Sequence, residues 1–166
     1  MYWLIIVPFI VQLIAMSIDE GYFHWKRGLP KWERIGHPID TLSVVICFLF
    51  VFFVPFSSGA LKIFIGLAAI SCLLVTKDEF VHKHVCPASE NWLHALLFIN
   101  HPIILTATGL IWCATSSPAI PQWIVNWLGQ SKELRAFLVF QIIGSSLFMI
   151  YQIVYWNFIW KEKQKA

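Results

Sequence analysis

Charge is scarce in this chain. Asp, Glu, Lys and Arg make up 13% of its 166 residues, where a soluble domain carries about a quarter. That shortage excludes an ordinary water-covered surface. The net charge is only +3, and no basic stripe runs through the chain, so nothing points to a nucleic-acid partner. Cysteine is sparse too: Cys47, Cys72, Cys86 and Cys113 form no CxxC pair and suggest no disulfide framework. Three of them lie in apolar runs, where a free thiol acts as a small hydrophobe. The opening MYWLIIVPFIVQLIAMSI lacks a basic leader region and a small-residue cleavage site before Asp19. It reads as a retained span and not as a signal peptide.

What the chain has instead is long apolar runs. Hydrophobic residues are 58% of the total, and mean hydropathy is +0.70. The expectation is an all-α integral membrane protein, a single transmembrane domain over 1–166. About five spans are expected, near 2–18, 41–56, 60–76, 93–115 and 134–159. Pro55 with Ser57, Ser58 and Gly59 turns the chain between the second and third. Residues of about 116–133 carry Trp123 and Trp127, four apart, as an interfacial segment. The final helix, about 134–160, has Gly144, Ser145 and Ser146 for close helix packing.

Lys26, Arg27, Lys31, Arg34, Lys77, Lys83, Lys161, Lys163 and Lys165 fall on one side of these spans; Lys62, Lys132 and Arg135 fall on the other. The positive-inside rule then puts the N-terminus outside and the C-terminus in the cytoplasm, in a bacterial inner membrane.

Two windows resemble each other. Residues 19–38 read DEGYFHWKRGLPKWERIGHP, and residues 78–102 read DEFVHKHVCPASENWLHALLFINHP. Each begins with Asp-Glu at the end of an odd-numbered span, gives a histidine soon after, turns through a proline, and resumes with Glu-x-x-x-His. This suggests two tandem helical hairpins, about 2–56 and about 60–115, forming a four-helix bundle with one extra C-terminal helix. Residues 19–40 and 78–101 hold all six histidines and seven of the nine acids. On that topology every one of them lies toward the cytoplasmic side.

Residues four apart share a helix face. Glu20 with His24, Glu33 with His37, Asp78 or Glu79 with His82, and Glu90 with His94 and His101 are thus the expected ligands of a metal site. Clustered carboxylates repel unless a cation neutralises them, and imidazoles complete a divalent ion's shell. Asp19, Asp40, Asp78 and His84 are the expected orienting groups or proton carriers. The ligand chemistry resembles that of soluble carboxylate-bridged di-iron bundles, without implying that fold. The HxxxH and HxxHH boxes of membrane desaturases do not occur here.

Two divalent ions are expected, iron first, with manganese or zinc as alternatives. Haem has no use for a ring of acids and is disfavoured. The expected function is a metal-dependent oxidoreductase acting on a lipid or other membrane-soluble substrate, with a cytoplasmic electron donor. The alternatives are a zinc or manganese hydrolase of a lipid phosphate or ester, with the 26–34 basic cluster as phosphate clamp, or a haem or metal binding protein without catalysis.

Overall fold

A computed structural model of the protein describes residues 3–77, 86–116, 121–128 and 131–160. Every regular element among them is helical. α1 (Trp3–Ile18) runs on through a π-helical turn (Asp19–His24) to Trp25–Arg27. α2 (Lys31–Phe53), α3 (Ser58–Thr76) and α4 (Ala88–Ser116) follow, then the short α5 (Gln122–Leu128). α6 (Ser131–Val154) ends in a second π-helical turn, Tyr155–Ile159. Five of these helices are long and apolar enough to cross a membrane.

The helix starts follow ordinary capping chemistry. Ser57 caps α3 by accepting from the Ala60 amide at 3.1 Å. Pro30 and Pro87 stand just before α2 and α4, and their carbonyls accept the amides of Arg34 and of Glu90 and Asn91. Between α1 and α2 the chain turns at Gly28, whose φ is +77°. A Cβ there would come within 2.6 Å of the Trp160 ring, so both backbone and space require glycine.

The burial pattern is inverted relative to a soluble domain. Leu73, Phe140 and Leu13 face outward, while Glu33, Glu90 and His24 are fully buried. An apolar exterior around a polar interior is what a bilayer solvent selects. α2 packs most closely along α6 and next along α3, and α1 lies on α4. The last helix is therefore a principal partner of α2. At one end the core is apolar, built from Phe48, Phe64, Ile111 and Trp112. The other end is polar.

Three helices reach further than hydropathy suggested. The first continues to Arg27, α2 begins at Lys31 and α4 at Ala88. A hydropathy window stops at Asp19, Glu33 and Glu90 because they are polar. The helices continue because these side chains point inward and find partners there.

Candidate functional site

The polar end is assembled from the tail of α1, the starts of α2 and α4, and the tail of α6. The π-helical turn does the local work. Its bonds run from i to i+5, so Asp19 and His24, five apart, come to one side. Glu20 and His24, four apart, meet as well. Asp19, Glu20 and His24 are all buried.

His24 sits at the centre with no exposed surface. Its Nδ1 is 3.0 Å from Glu20 Oε2. Its Nε2 is 3.2 Å from Asp19 Oδ2 and 4.0 Å from Glu90 Oε1. Neither contact has hydrogen-bond geometry at Nε2. The other Asp19 oxygen, Oδ1, is 3.0 Å from His94 Nε2. The His37 ring lies 4.9 Å from that of His24, tilted by 40°. The Trp156 indole donates to Glu20 Oε1 from the π-helical turn of α6.

Two groups of potential ligands result. One is Asp19, His24, Glu90 and His94, all buried; the other is Glu20, His24 and His37. Within each group the donor atoms lie within 4.8 Å of one another, and His24 belongs to both. Two donors each about 2.1 Å from one ion, at a right angle, stand about 3.0 Å apart. The Asp19–His94 and Glu20–His24 separations match that spacing. They are also ordinary hydrogen-bond lengths, so spacing alone does not choose between the two. The Glu90 carboxylate adds a second observation: its Oε2 is buried with no nitrogen or oxygen donor on it among the described residues, and the Cys86 thiol is the neighbour within reach of this carboxylate. An unmatched buried carboxylate oxygen is costly without a proton or a cation beside it.

Arg27 holds the other side of that carboxylate. Its Nη2 donates to Glu33 Oε2 at 2.7 Å and to Glu90 Oε1 at 2.8 Å, and its Nε donates to the same Glu90 oxygen at 3.0 Å. Both glutamates have fully buried side chains. Sequence reasoning left Arg27 among the topology signals, because a basic residue just beyond a span looks the same in either role.

The residues expected as ligands are thus placed differently from one another. Glu20, His24, His37, Glu90 and His94 fall in the two groups. Glu33 is beside them, on Arg27. His101 belongs to neither group; its Nε2 is 2.9 Å from Ser71 Oγ, which is 2.7 Å from Ser43 Oγ. Asp78, Glu79, His82 and His84 lie outside the described residues. Asp19, expected to orient others, is itself a donor in the first group. Asp40 pairs with Lys77 at 2.5 Å. Cys86 lies just before α4; burial pushes its thiol up to about 12, and the neighbouring Glu90 carboxylate adds to the shift.

One cavity adjoins the cluster, and a second adjoins the first. A chamber of about 110 Å³ is lined by Asp19, Glu20, His37, His94, His101 and Gln152, among others. A larger slot of about 440 Å³ has a mainly apolar lining from α1, α2, α4 and α6. Gln12, Met16, Asp40, Thr41, Val75, His101 and Phe148 line both. Slot and chamber therefore share a neck.

Fold and site together define a helical protein that fits a membrane by length and composition, with a buried histidine–carboxylate cluster at one end of its bundle. Comparison with family models, curated proteins and solved structures gives no match to this chain.

Proposed function

We propose that the protein is a membrane-embedded, metal-dependent oxidoreductase that acts on a lipid or other membrane-soluble substrate. The observation that carries this reading is His24, fully buried, with Glu20 at one ring nitrogen, Asp19 and Glu90 at the other, and membership of both ligand groups. In this reading His24, whose neutral ring offers one lone pair, joins Asp19, Glu90 and His94 on one divalent ion, and Glu20 and His37 contribute to a second. Iron is the preferred metal, with manganese or zinc as alternatives. A pair of irons would supply oxygen activation for hydroxylation, desaturation or oxidation. The protein's own residues bind and orient: Arg27 fixes Glu33 and Glu90, Trp156 fixes Glu20, and the apolar slot brings substrate to the chamber.

We further read the bundle as two tandem hairpins with a C-terminal helix added. Glu33 and Glu90 stand at matching places in the two windows, and both meet the one guanidinium of Arg27. The membrane would be a bacterial inner membrane, with the N-terminus outside and the cluster facing the cytoplasm, where an electron donor could reach it.

The hydrolytic alternative is weaker. Arg27 is engaged by two glutamates, and among the described residues no lysine or arginine lines either cavity. A phosphate clamp would need such residues free. Haem is weaker still. The His24 and His37 rings stand 4.9 Å apart, too close to ligate a macrocycle from opposite faces. A metal-free network that handles protons is the second reading, favoured by the ordinary hydrogen-bond spacing of Asp19 to His94.

Elemental analysis of purified protein, with an optical spectrum of the same sample, tests this. About two irons per chain without a Soret band is the expected result. His24→Ala should lose the first ion and weaken the second, whose Glu20 it neighbours, while the protein still inserts. Zinc or manganese at the same stoichiometry would shift the chemistry to hydrolysis. No metal after reconstitution with all three ions would leave the proton network.

A further inference from the structure

The slot is defined by geometry alone, and three of its properties identify an occupant. First, it opens sideways. Leu13 on α1 and Phe140 and Gly144 on α6 line it and also face outward. A Cβ on Gly144 would meet nothing within 4 Å, so this glycine borders open space and does not seat a neighbouring helix. Second, its volume is about 440 Å³. At roughly 30 Å³ for each water-sized group, about fifteen methylenes fill it. That is one long chain and not two. Third, the neck is uncharged toward an incoming head. Gln12 accepts from Asn100 at 3.0 Å, Thr41 donates to Gln152 at 2.9 Å, His101 meets Ser71 at 2.9 Å, and Asp40 is held by Lys77 at 2.5 Å. A carboxylate or phosphate head held in the neck would be stripped of water there without a charge to offset it, because among the described residues no lysine or arginine lines either cavity and His101 in the neck stands about two helical turns from His94 in the cluster.

We infer that the slot admits, from the side, one long hydrocarbon chain carrying an uncharged, oxygen-bearing head such as an alcohol, and seats that head in the neck that leads to the histidine–carboxylate cluster. This names the substrate class of the proposed metal site and so rests on that reading. The chain would enter between α1 and α6 with its tail in the slot. Its head would meet hydrogen-bonding side chains that can re-pair with it.

Photo-crosslinking tests it. Full-length protein in phosphatidylcholine vesicles is irradiated with hexadecanol bearing a mid-chain diazirine, or with palmitate bearing the same group, at alkaline pH where the acid is ionised. Hexadecanol adducts are expected on α1 and α6 around Leu13 and Phe148, at least about tenfold above palmitate. Gly144→Trp should lower hexadecanol labelling by about tenfold, and the outward-facing control Ile143→Trp should not. Gly144→Leu serves if the tryptophan variant fails to fold. Equal labelling by palmitate, or labelling indifferent to both Gly144 variants, overturns the inference. Metal content is measured on the same samples. Slot labelling without metal would remove the metal reading and leave the slot standing. Bound metal with labelling insensitive to Gly144 would do the reverse.

Discussion

The two ends of the bundle are held together by different physics. At the apolar end, Trp112 is fully buried among Phe50, Phe56 and Phe64, with ring centroids 5.0 to 5.7 Å away. Its indole donates to the Val54 carbonyl at 2.8 Å. At the polar end, His24, Glu33 and Glu90 are equally buried, but each faces a specified charge or ring. Apolar packing asks for volume and tolerates conservative change. Buried charge asks for a particular partner, and removing that partner leaves the other uncompensated. The same degree of burial should therefore give opposite sensitivities to mutation.

The largest expected effect is at Arg27. Arg27→Ala leaves Glu33 and Glu90 buried without their guanidinium. A loss of about 3–5 kcal/mol is expected, read as a large drop in the thermal midpoint of the detergent-solubilised protein. Arg27→Lys keeps the charge but loses the fork that reaches both carboxylates, and should recover only part of it. A cost for Arg27→Ala below about 1 kcal/mol, the range of a surface pair, would break the comparison.

Gly28→Ala comes next. It forces a side chain into a positive φ and against the Trp160 ring. About 1–3 kcal/mol is expected, and the Arg34 guanidinium, 4.5 Å from that same ring, should shift with it. Tryptophan fluorescence of the variant would report the displaced ring. An unchanged spectrum and midpoint would mean the turn accommodates a Cβ.

Much of the polar end was legible in the sequence because polar residues are so rare in it. With nearly all acids and histidines in two windows, helical spacing brought Glu20 to His24 and Glu90 to His94. Three things were hidden. Asp19 and His24 are five apart, which an α-helix puts on different faces; only the π-helical turn joins them. His101 is seven residues beyond His94, on nearly the same face but about 10.5 Å further along the axis. It therefore reaches Ser71 and the neck instead of the cluster. Trp156 is one of several aromatics near the end of the final helix, and nothing in that helix marks which tryptophan turns inward. In the apolar half, the runs announced helices but not their pairing. Apolar surfaces carry no partner code, so the close packing of α6 on α2 could not be read from them.

Trp112→Phe sharpens the comparison from the apolar side. It keeps a ring and removes the donor to Val54 and some volume. About 1–2 kcal/mol is expected, with metal content unchanged, since Trp112 belongs to the end away from the cluster. Metal loss in this variant, measured beside its thermal midpoint, would show that the two ends are coupled.

The smallest expected effect is at Lys77, which separates charge as such from buried charge. Lys77 and Asp40 form an ion pair like that of Arg27, but their side chains keep 22% and 14% of their exposure. Water can reach both after the pair is broken, so Lys77→Met should cost no more than about 1 kcal/mol. Asp40 also borders the neck. Freed of Lys77, it would leave a negative charge facing an incoming head. Stability should therefore barely move, while discrimination against palmitate in the crosslinking assay should hold or increase. A stability loss as large as that of Arg27→Ala would mean that this pair is sealed from water as tightly as the cluster.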